Sequence, residues 1–398
     1  MTTRLSGPHR RAIVLLSVAA AASGASARMC DPMLPELVRA FSTSPAATAH
    51  VVSGFMLAYG LVQACFGPLG DRVGKVRLIA LTCLASTVGS LAAAFAGGLD
   101  QLVTARVLTG IAAAGVIPLA MAWIGDTVAY EQRQTTLARF LTGQILGVIG
   151  GQFIGGVFTE TVGWRWAFGF VCLIFLAVGV ALLAESGRNP IARHRPVGTT
   201  GPGGIVTQVA AVLSVGWARV ILAIVFLEGA AVFGPLAFVP TYLHQRFAID
   251  LTTAGALMGL FGVGGLSYIA FTGFFVRRFG EAGLALLGGL LIATAWTVLA
   301  LGDIWQCAFP VCAMVGLGYY MLHNTLQTNA TQMAPQMRGT AVSLFASAFF
   351  LGQSVGVSLT AVALTAAGPR ATYLTAAVAV PMIGAVFSAL LRRRGRSP

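Results

Sequence analysis

The chain is 398 residues long, 57% hydrophobic and only 9% charged, with a mean hydropathy of +0.84. That leaves too little polar surface to cover a water-soluble globule of this size, so the chain is read as one that lives in a bilayer. Its net charge of +13 follows membrane topology, as the distribution below shows, and excludes nucleic acid as the reason for it.

In chain order, the first apolar stretch, at about 12 to 38, follows Arg10 and Arg11 and carries Arg28 and Asp31. Arg10-Arg11, the apolar run from Ala12 and Ala25-Ser26-Ala27 imitate the three regions of a secretory signal. The stretch is read instead as an uncleaved span, because its removal breaks both the even helix count and the repeat described below. A second stretch at about 46 to 70 leads into the turn Gly67-Pro68-Leu69-Gly70-Asp71-Arg72-Val73-Gly74-Lys75-Val76-Arg77. Spans follow at 78 to 99 and at about 101 to 125, the latter with Arg106, then at 140 to 159 and 166 to 184. A polar, Gly/Pro-containing stretch at about 185 to 213 separates these from spans at about 217 to 243, 251 to 276, 282 to 302, about 304 to 330, about 339 to 366, and 371 to 391. The uncharged runs at 78 to 99, 140 to 159, 166 to 184, 251 to 276, 282 to 302 and 371 to 391 are each near the roughly 20 residues a spanning helix needs, and the other stretches, longer than one span or interrupted by a few charges, bring the total to about twelve.

Lys and Arg fix the expected orientation. Arg4, Arg10, Arg11, Arg72, Lys75, Arg77, Arg133, Arg139, Arg188, Arg193, Arg195, Arg219, Arg277, Arg278, Arg338, Arg392, Arg393, Arg394 and Arg396 alternate with loops that hold only Arg39, Arg165, Arg246 and Arg370, which is 19 against 4. The positive-inside rule puts both termini and the central loop in the cytoplasm. A shift of about 205 residues lays Pro35 and Phe41 over Pro240 and Phe247, Gly67-x3-Asp71-Arg72-x-Gly74 over Gly273-x3-Arg277-Arg278-x-Gly280, and Gly110 over Gly316. A parallel duplication of six helices explains the match and predicts an all-α membrane protein of two pseudo-symmetric six-helix bundles, 1–184 and 214–398, joined by a cytoplasmic linker at 185–213.

These residues resemble the major facilitator superfamily, and within it the twelve-helix drug/proton antiporters, over nearly the whole chain. The 67 to 77 turn is similar to the family's cytoplasmic motif between helices 2 and 3. There Gly67 and Gly74 are expected to allow close backbone approach, with Asp71 meeting a helix N-terminus or an arginine. Asp126, Glu131 and Arg133 of the corresponding 4-5 loop are candidate partners. The resemblance implies that Asp71, Arg72, Lys75 and Arg77 close the cytoplasmic side of an outward-open state. Arg106, within Leu102-x3-Arg106-x2-Thr109-Gly110, resembles the family arginine that serves proton coupling. At membrane depth it is expected to face a cavity and pair, the alternative being a bridge that only fastens helices. Gly147-x3-Gly151-Gln152-x2-Gly155-Gly156 looks like the antiporter motif of the drug-export branch, with Gln152 where that motif has proline. The same small residues also simply allow close helix packing.

The remaining charges at membrane depth are the candidates for chemistry. Arg28 and Asp31, three residues apart, share a helix face and can pair. Asp31-x3-Pro35 resembles the acid and proline in helix 1 of several proton-coupled exporters, which implies proton or substrate exchange at Asp31. Glu228 has no opposite charge within a helical turn and is a candidate proton carrier, unless an arginine on another helix reaches it. Tyr319, Tyr320, His323, Asn324, Gln327 and Asn329 make a polar run in helix 10. Tyr320, His323, Asn324 and Gln327 share a face that either lines a cavity wall or bonds to neighbouring helices. His323 is also a candidate pH sensor. Phe55, Tyr59, Phe233 and Tyr242 add apolar contacts.

The expected function is therefore a proton-coupled secondary transporter exporting a small organic compound by alternating access, with proton-coupled uptake of a metabolite or organic anion as the alternative. No GxxxxGK[ST] phosphate loop occurs, so the proton gradient rather than ATP or a cofactor is the expected drive. An enzyme is excluded on the lack of a nucleophile, base or metal constellation. The GxSxG match Gly352-Gln353-Ser354-Val355-Gly356 lies in an apolar helix and is read as packing. The six cysteines are scattered without metal spacing, so no metal site is expected. The partners are the substrate, protons and lipid, the chain is expected to act as a monomer, and a bacterial inner membrane is the expected location.

Overall fold

The structure is a computed structural model that describes residues 7–192 and 205–394. The basic positions Arg4, Arg193, Arg195 and Arg396 and the middle of the 185–213 stretch lie outside the described residues, as does the side chain of Glu131.

Among the described residues the chain is helical, without a strand. α1 (Gly7–Arg28) ends in a turn that carries Asp31, after which Pro35 sits in the first turn of α2 (Leu34–Ala40). The N-terminus of α3 (Pro45–Val62) is capped by Ser44, whose Oγ accepts the Ala47 N–H at 3.2 Å. α4 (Phe66–Val73) and α5 (Lys75–Ala94) meet at Gly74. α6 (Leu99–Ala113), α7 (Val116–Thr127), α8 (Tyr130–Thr161) and α9 (Trp164–Arg188) complete the first part. The second part holds α10 (Ile205–Ser214), α11 (Gly216–Ala237), α12 (Val239–Phe247), α13 (Leu251–Leu257), α14 (Gly259–Leu301), α15 (Ala308–Ala330) and α16 (Arg338–Arg394).

Nine stretches of the described residues are long and apolar enough to cross a membrane. Two are too long for a single crossing, Leu251–Leu301 at 51 residues and Pro335–Arg394 at 60 residues. Gly280 (φ 63°, ψ 175°) and Gly368 (φ 77°, ψ 168°) break them, next to the charged positions that end the apolar runs in the sequence. α1 is outside the nine because Arg10, Arg11 and Arg28 dilute it, yet its 22 residues match a span in length. Divided at these glycines and taken with α1, the segments are consistent with twelve spans. The stretch expected to be a linker is partly helical: α9 runs on to Arg188 and α10 begins at Ile205. Burial of Val212 among Ala218, Ile221 and Val225 holds α10 in place, and Thr340 Oγ1 donates to Gln208 Oε1 at 2.8 Å.

The duplication is visible in the contacts. Gly147 and Gly151 press on the backbone of Ala21 and Ala25, and Gly352 and Gly356 press on Phe226 and Ala230, every position 205 residues from its counterpart. Gly110 against Phe55 likewise matches Gly316 against Phe261. Gly74 (φ 99°) answers Gly280, and Gly163 (φ 101°) answers Gly368. The cap at Ser44 has its counterpart in Asp250, whose Oδ1 accepts the Thr253 N–H at 2.7 Å. Exposed apolar side chains such as Val88, Leu173, Leu359 and Val378, each more than 60% accessible, form a surface that lipid rather than water covers.

Candidate functional site

The polar groups at membrane depth form two clusters. In the first, Arg28 at the end of α1 is 4% exposed and Asp31 is fully buried. Arg28 Nη1 donates to Asp31 Oδ2 at 3.4 Å, a long ion pair. The other arm, Nη2, donates to Gln353 Oε1 on α16, and the guanidinium lies 4.4 Å from the centre of the Phe233 ring of α11. Arg28 thus joins three elements, two of them from the second half of the chain. Ser354 Oγ next to Gln353 donates to the Ser53 carbonyl at 2.8 Å, a further bond between the halves.

Arg106 differs from expectation. It is 1% exposed and makes no ion pair within 4 Å; it donates instead to the Val51 carbonyl and Ser26 Oγ, both at 3.2 Å. Its guanidinium lies 4.2 Å from the Phe55 ring centre. Carbonyl dipoles and a ring face hold part of this delocalised cation without a carboxylate, while its buried Nη2 is left without a hydrogen-bond partner.

The second cluster centres on Glu228. The sequence shows it without a partner, but the fold supplies one: His323 Nδ1 on α15 lies 2.8 Å from Glu228 Oε2. The carboxyl is fully buried, and Oε1 has no hydrogen-bond partner, as is also true of Asp31 Oδ1. Aromatic rings enclose the imidazole, with Tyr319 stacked at 4.8 Å and Phe349 at 4.7 Å between centroids. The Phe233 ring, which carries Arg28, stands edge-on to Tyr319 at 5.0 Å. A continuous path of contacts, Asp31, Arg28, Phe233, Tyr319, His323 and Glu228, therefore connects the two acids.

The polar run of α15 divides between neighbours. Asn324 Nδ2 donates to Tyr268 Oη on α14 at 3.1 Å, the Tyr320 ring packs over Gly265 of the same helix, and Gln327 is exposed. His323 points to α11 instead, because it precedes Asn324 by one residue and so lies about 100° from it around the helix. Tyr242 lies far from both clusters, bound to the Leu299 carbonyl and to Arg246.

At the end of the molecule that carries Arg10 and Asp71, here the basic end, Lys75 Nζ holds Asp71 Oδ1 at 2.6 Å and Asp126 Oδ2 at 2.9 Å. Lysine, not arginine, is thus the partner of Asp71. Arg72 and Arg77 are exposed, and Arg133 Nη2 donates to the Val128 carbonyl at 3.3 Å. Gly67 has open space around it, contrary to expectation; the close approach occurs one turn on, at Gly70 against Leu119. Gly74 is required by its positive φ.

The glycines of α8 have two faces. Gly147 and Gly151 lie on α1 and Gly155 on Met29 of the turn that follows it, whereas Gly156 abuts Leu251 of α13 and the Gln152 carbonyl meets Gly255. This second face is a seam between the halves at the opposite end, where Glu160 Oε2 accepts the Leu251 N–H at 3.0 Å.

Sequence reasoning read Gln353 as part of a packing motif and did not single out Ser26 or Tyr268. The available signal for Gln353 was a lone amide between two packing glycines of an apolar span. Among the described residues no group of histidine, cysteine and acidic side chains is arranged to hold a metal. A surface groove of about 570 Å³ beside Arg10, Arg11 and Glu185 is lined by none of the candidate residues at membrane depth.

The family model described as Major Facilitator Superfamily matches residues 16–357. A curated relative, the uncharacterized MFS-type transporter YwfA of Bacillus subtilis, is 25% identical over 94% of this chain and 90% of its own length. The multidrug resistance protein B homolog of Mycobacterium tuberculosis is 25% identical over 82% of this chain and 70% of its own. Among solved structures, a mutant of the nucleoside transporter NupG superposes with a TM-score of 0.76 at 15% identity, covering 96% of this chain and 99% of that one.

Proposed function

The chain belongs to the major facilitator superfamily and is a multi-pass membrane transporter rather than an enzyme, and from that premise we propose that it exports a small organic compound, a drug or metabolite, in exchange for protons. The observation that carries this reading is the pair of fully buried carboxyls, Asp31 and Glu228, each with one oxygen engaged by a basic partner and one left without a hydrogen bond. A carboxylate at membrane depth is costly unless it is paired or protonated, so acids kept there mark a functional site, and binding a proton is what their chemistry offers. Proton and cargo compete for these acids, so loading one releases the other. The antiporter-like glycines of α8 and the relatives named for multidrug resistance support export.

In the same reading the basic end is cytoplasmic, as the distribution of Lys and Arg requires. The bundles 1–184 and 214–398 rock about the membrane-depth clusters, the proton gradient is the drive, no cofactor takes part and one chain suffices. The membrane is the bacterial inner membrane. Gln152 favours a second reading, uptake by proton symport, since it stands where the export motif has proline and serves as a seam residue.

The test is proton movement in energised everted vesicles, followed with a pH-sensitive dye while drugs and metabolites are added to wild type, Asp31→Asn and Glu228→Gln. A compound that drains the gradient in wild type alone establishes exchange and implicates the acid. If the panel is silent and a compound instead makes the outside of right-side-out vesicles alkaline, uptake replaces export.

A further inference from the structure

Arg28 has two acceptors and they belong to different parts of the molecule. Asp31 lies on its own segment and moves with it, so that bond survives any motion of one half against the other. Gln353 lies on α16 and Phe233 on α11. Both are withdrawn from Arg28 if the halves part at the opposite end. Gln353 is 2% exposed and its backbone N–H rests against Gly229, next to Glu228, so the amide is held by the element it reports on. A buried guanidinium stripped of an acceptor is penalised, and the carboxylate is the acceptor that remains.

We propose that Gln353 is the positioning residue of the coupling site: it holds Arg28 against the second half of the chain and so ties the closed opposite end to the proton on Asp31. The sign follows from competition for one cation. A deprotonated Asp31 draws Arg28 to its own side, weakens the Gln353 and Phe233 contacts and favours opening at the opposite end. A protonated Asp31 leaves Arg28 to Gln353 and favours closure there. The other titratable or charged groups that face this pair are Cys30 on the same turn, Arg106 from α6 and Tyr319 from α15. Arg106 is fixed to Val51 and Ser26 within the first half and does not follow the seam.

The inference rests on the reading of Asp31 as a proton-binding group. Its test needs neither cargo nor gradient: hydrogen–deuterium exchange of residues 34–44 and 238–250, measured by mass spectrometry on the whole protein in lipid nanodiscs at pH 6 and pH 8. Wild type should exchange faster at pH 8 than at pH 6 after correction for intrinsic rates. Gln353→Leu should raise exchange at both segments about tenfold, the factor that corresponds to losing one hydrogen bond to a charged group. Gln353→Glu, a stronger acceptor of the same size, should lower it, and Asp31→Asn should lower it and remove the pH dependence. A packing role for Gln353 predicts the same sign for the Leu and Glu variants, and that outcome overturns the inference, as does unchanged exchange in Gln353→Leu. Loss of proton exchange in vesicles with this exchange pattern intact defeats the transport reading alone.

Discussion

A charged side chain is tolerated in or beside a bilayer only where a neighbour takes up its charge, and each ionic contact here shows how that is arranged. Lys75 is the clearest outside the clusters, since one buried ammonium holds two carboxylates, Asp71 and Asp126. Removing it leaves two partly buried anions facing each other. Lys75→Met is expected to lower stability by about 2 kcal/mol, discounted from a fully buried pair because both acids reach solvent. In a thermal-unfolding cycle with Asp126→Asn the two effects should not add, and additivity would show that the ammonium and the carboxylate do not interact. Asp250 offers a pH test outside the membrane. Although partial burial pushes its carboxyl up, hydrogen bonds from the Thr253 N–H and hydroxyl outweigh this and hold it below its ordinary 3.8. A depressed carboxyl contributes stability that is present above the unfolded value and is lost as pH falls through the folded one. Protection of the α13 N-terminus against hydrogen exchange is therefore expected to fall below pH 3.8, and Asp250→Ala should cost about 1 kcal/mol at neutral pH. At this scale the sequence names Glu228 and His323 separately, but it cannot say that they touch. They are 95 positions apart on different helices, and helical periodicity reports which face a residue takes, not which helix it meets.

The helices pack through glycine where their axes come closest. α1 and the turn after it meet α8 along Ala21, Ala25 and Met29 against Gly147, Gly151 and Gly155, residues four apart on both sides, so the backbones touch without intervening side chains. A methyl group at Gly147 would lie 2.2 Å from the Ala21 carbonyl oxygen, and at Gly352 2.0 Å from that of Phe226. At Gly150, on the same helix, nothing lies within 4 Å. Gly147→Ala and Gly352→Ala are accordingly expected to lose about 2 kcal/mol or more each, as forced overpacking does, while Gly150→Ala is neutral or slightly stabilising. Unfolding of the three variants in one detergent checks this, and equal melting of all three would mean that the stripe does not fasten the helices. Spacing alone made the stripe legible as a packing surface. That Gly156 turns the other way, onto Leu251, was not legible, because a residue next to a packing face is assigned to a partner only when the third helix is in place.

For the whole molecule, the all-helical, membrane-spanning character and the duplication were readable because each is a property of one stretch or of two stretches compared. The contacts that cross between the halves were not, since they join residues such as Arg28 and Gln353, 325 positions apart. Those contacts decide how a carrier of this fold works. The seam where Glu160 accepts the Leu251 N–H and Gly156 abuts the same residue joins the halves at the opposite end, and alternating access in a carrier of this fold requires it to part in every cycle. Cysteines at positions 160 and 251 joined by a short reducible cross-linker should therefore arrest transport, with flux restored by reductant, while either cysteine alone treated with the same reagent keeps most of its activity. Continued flux through the cross-linked protein would mean that the path to the opposite side does not run through this seam.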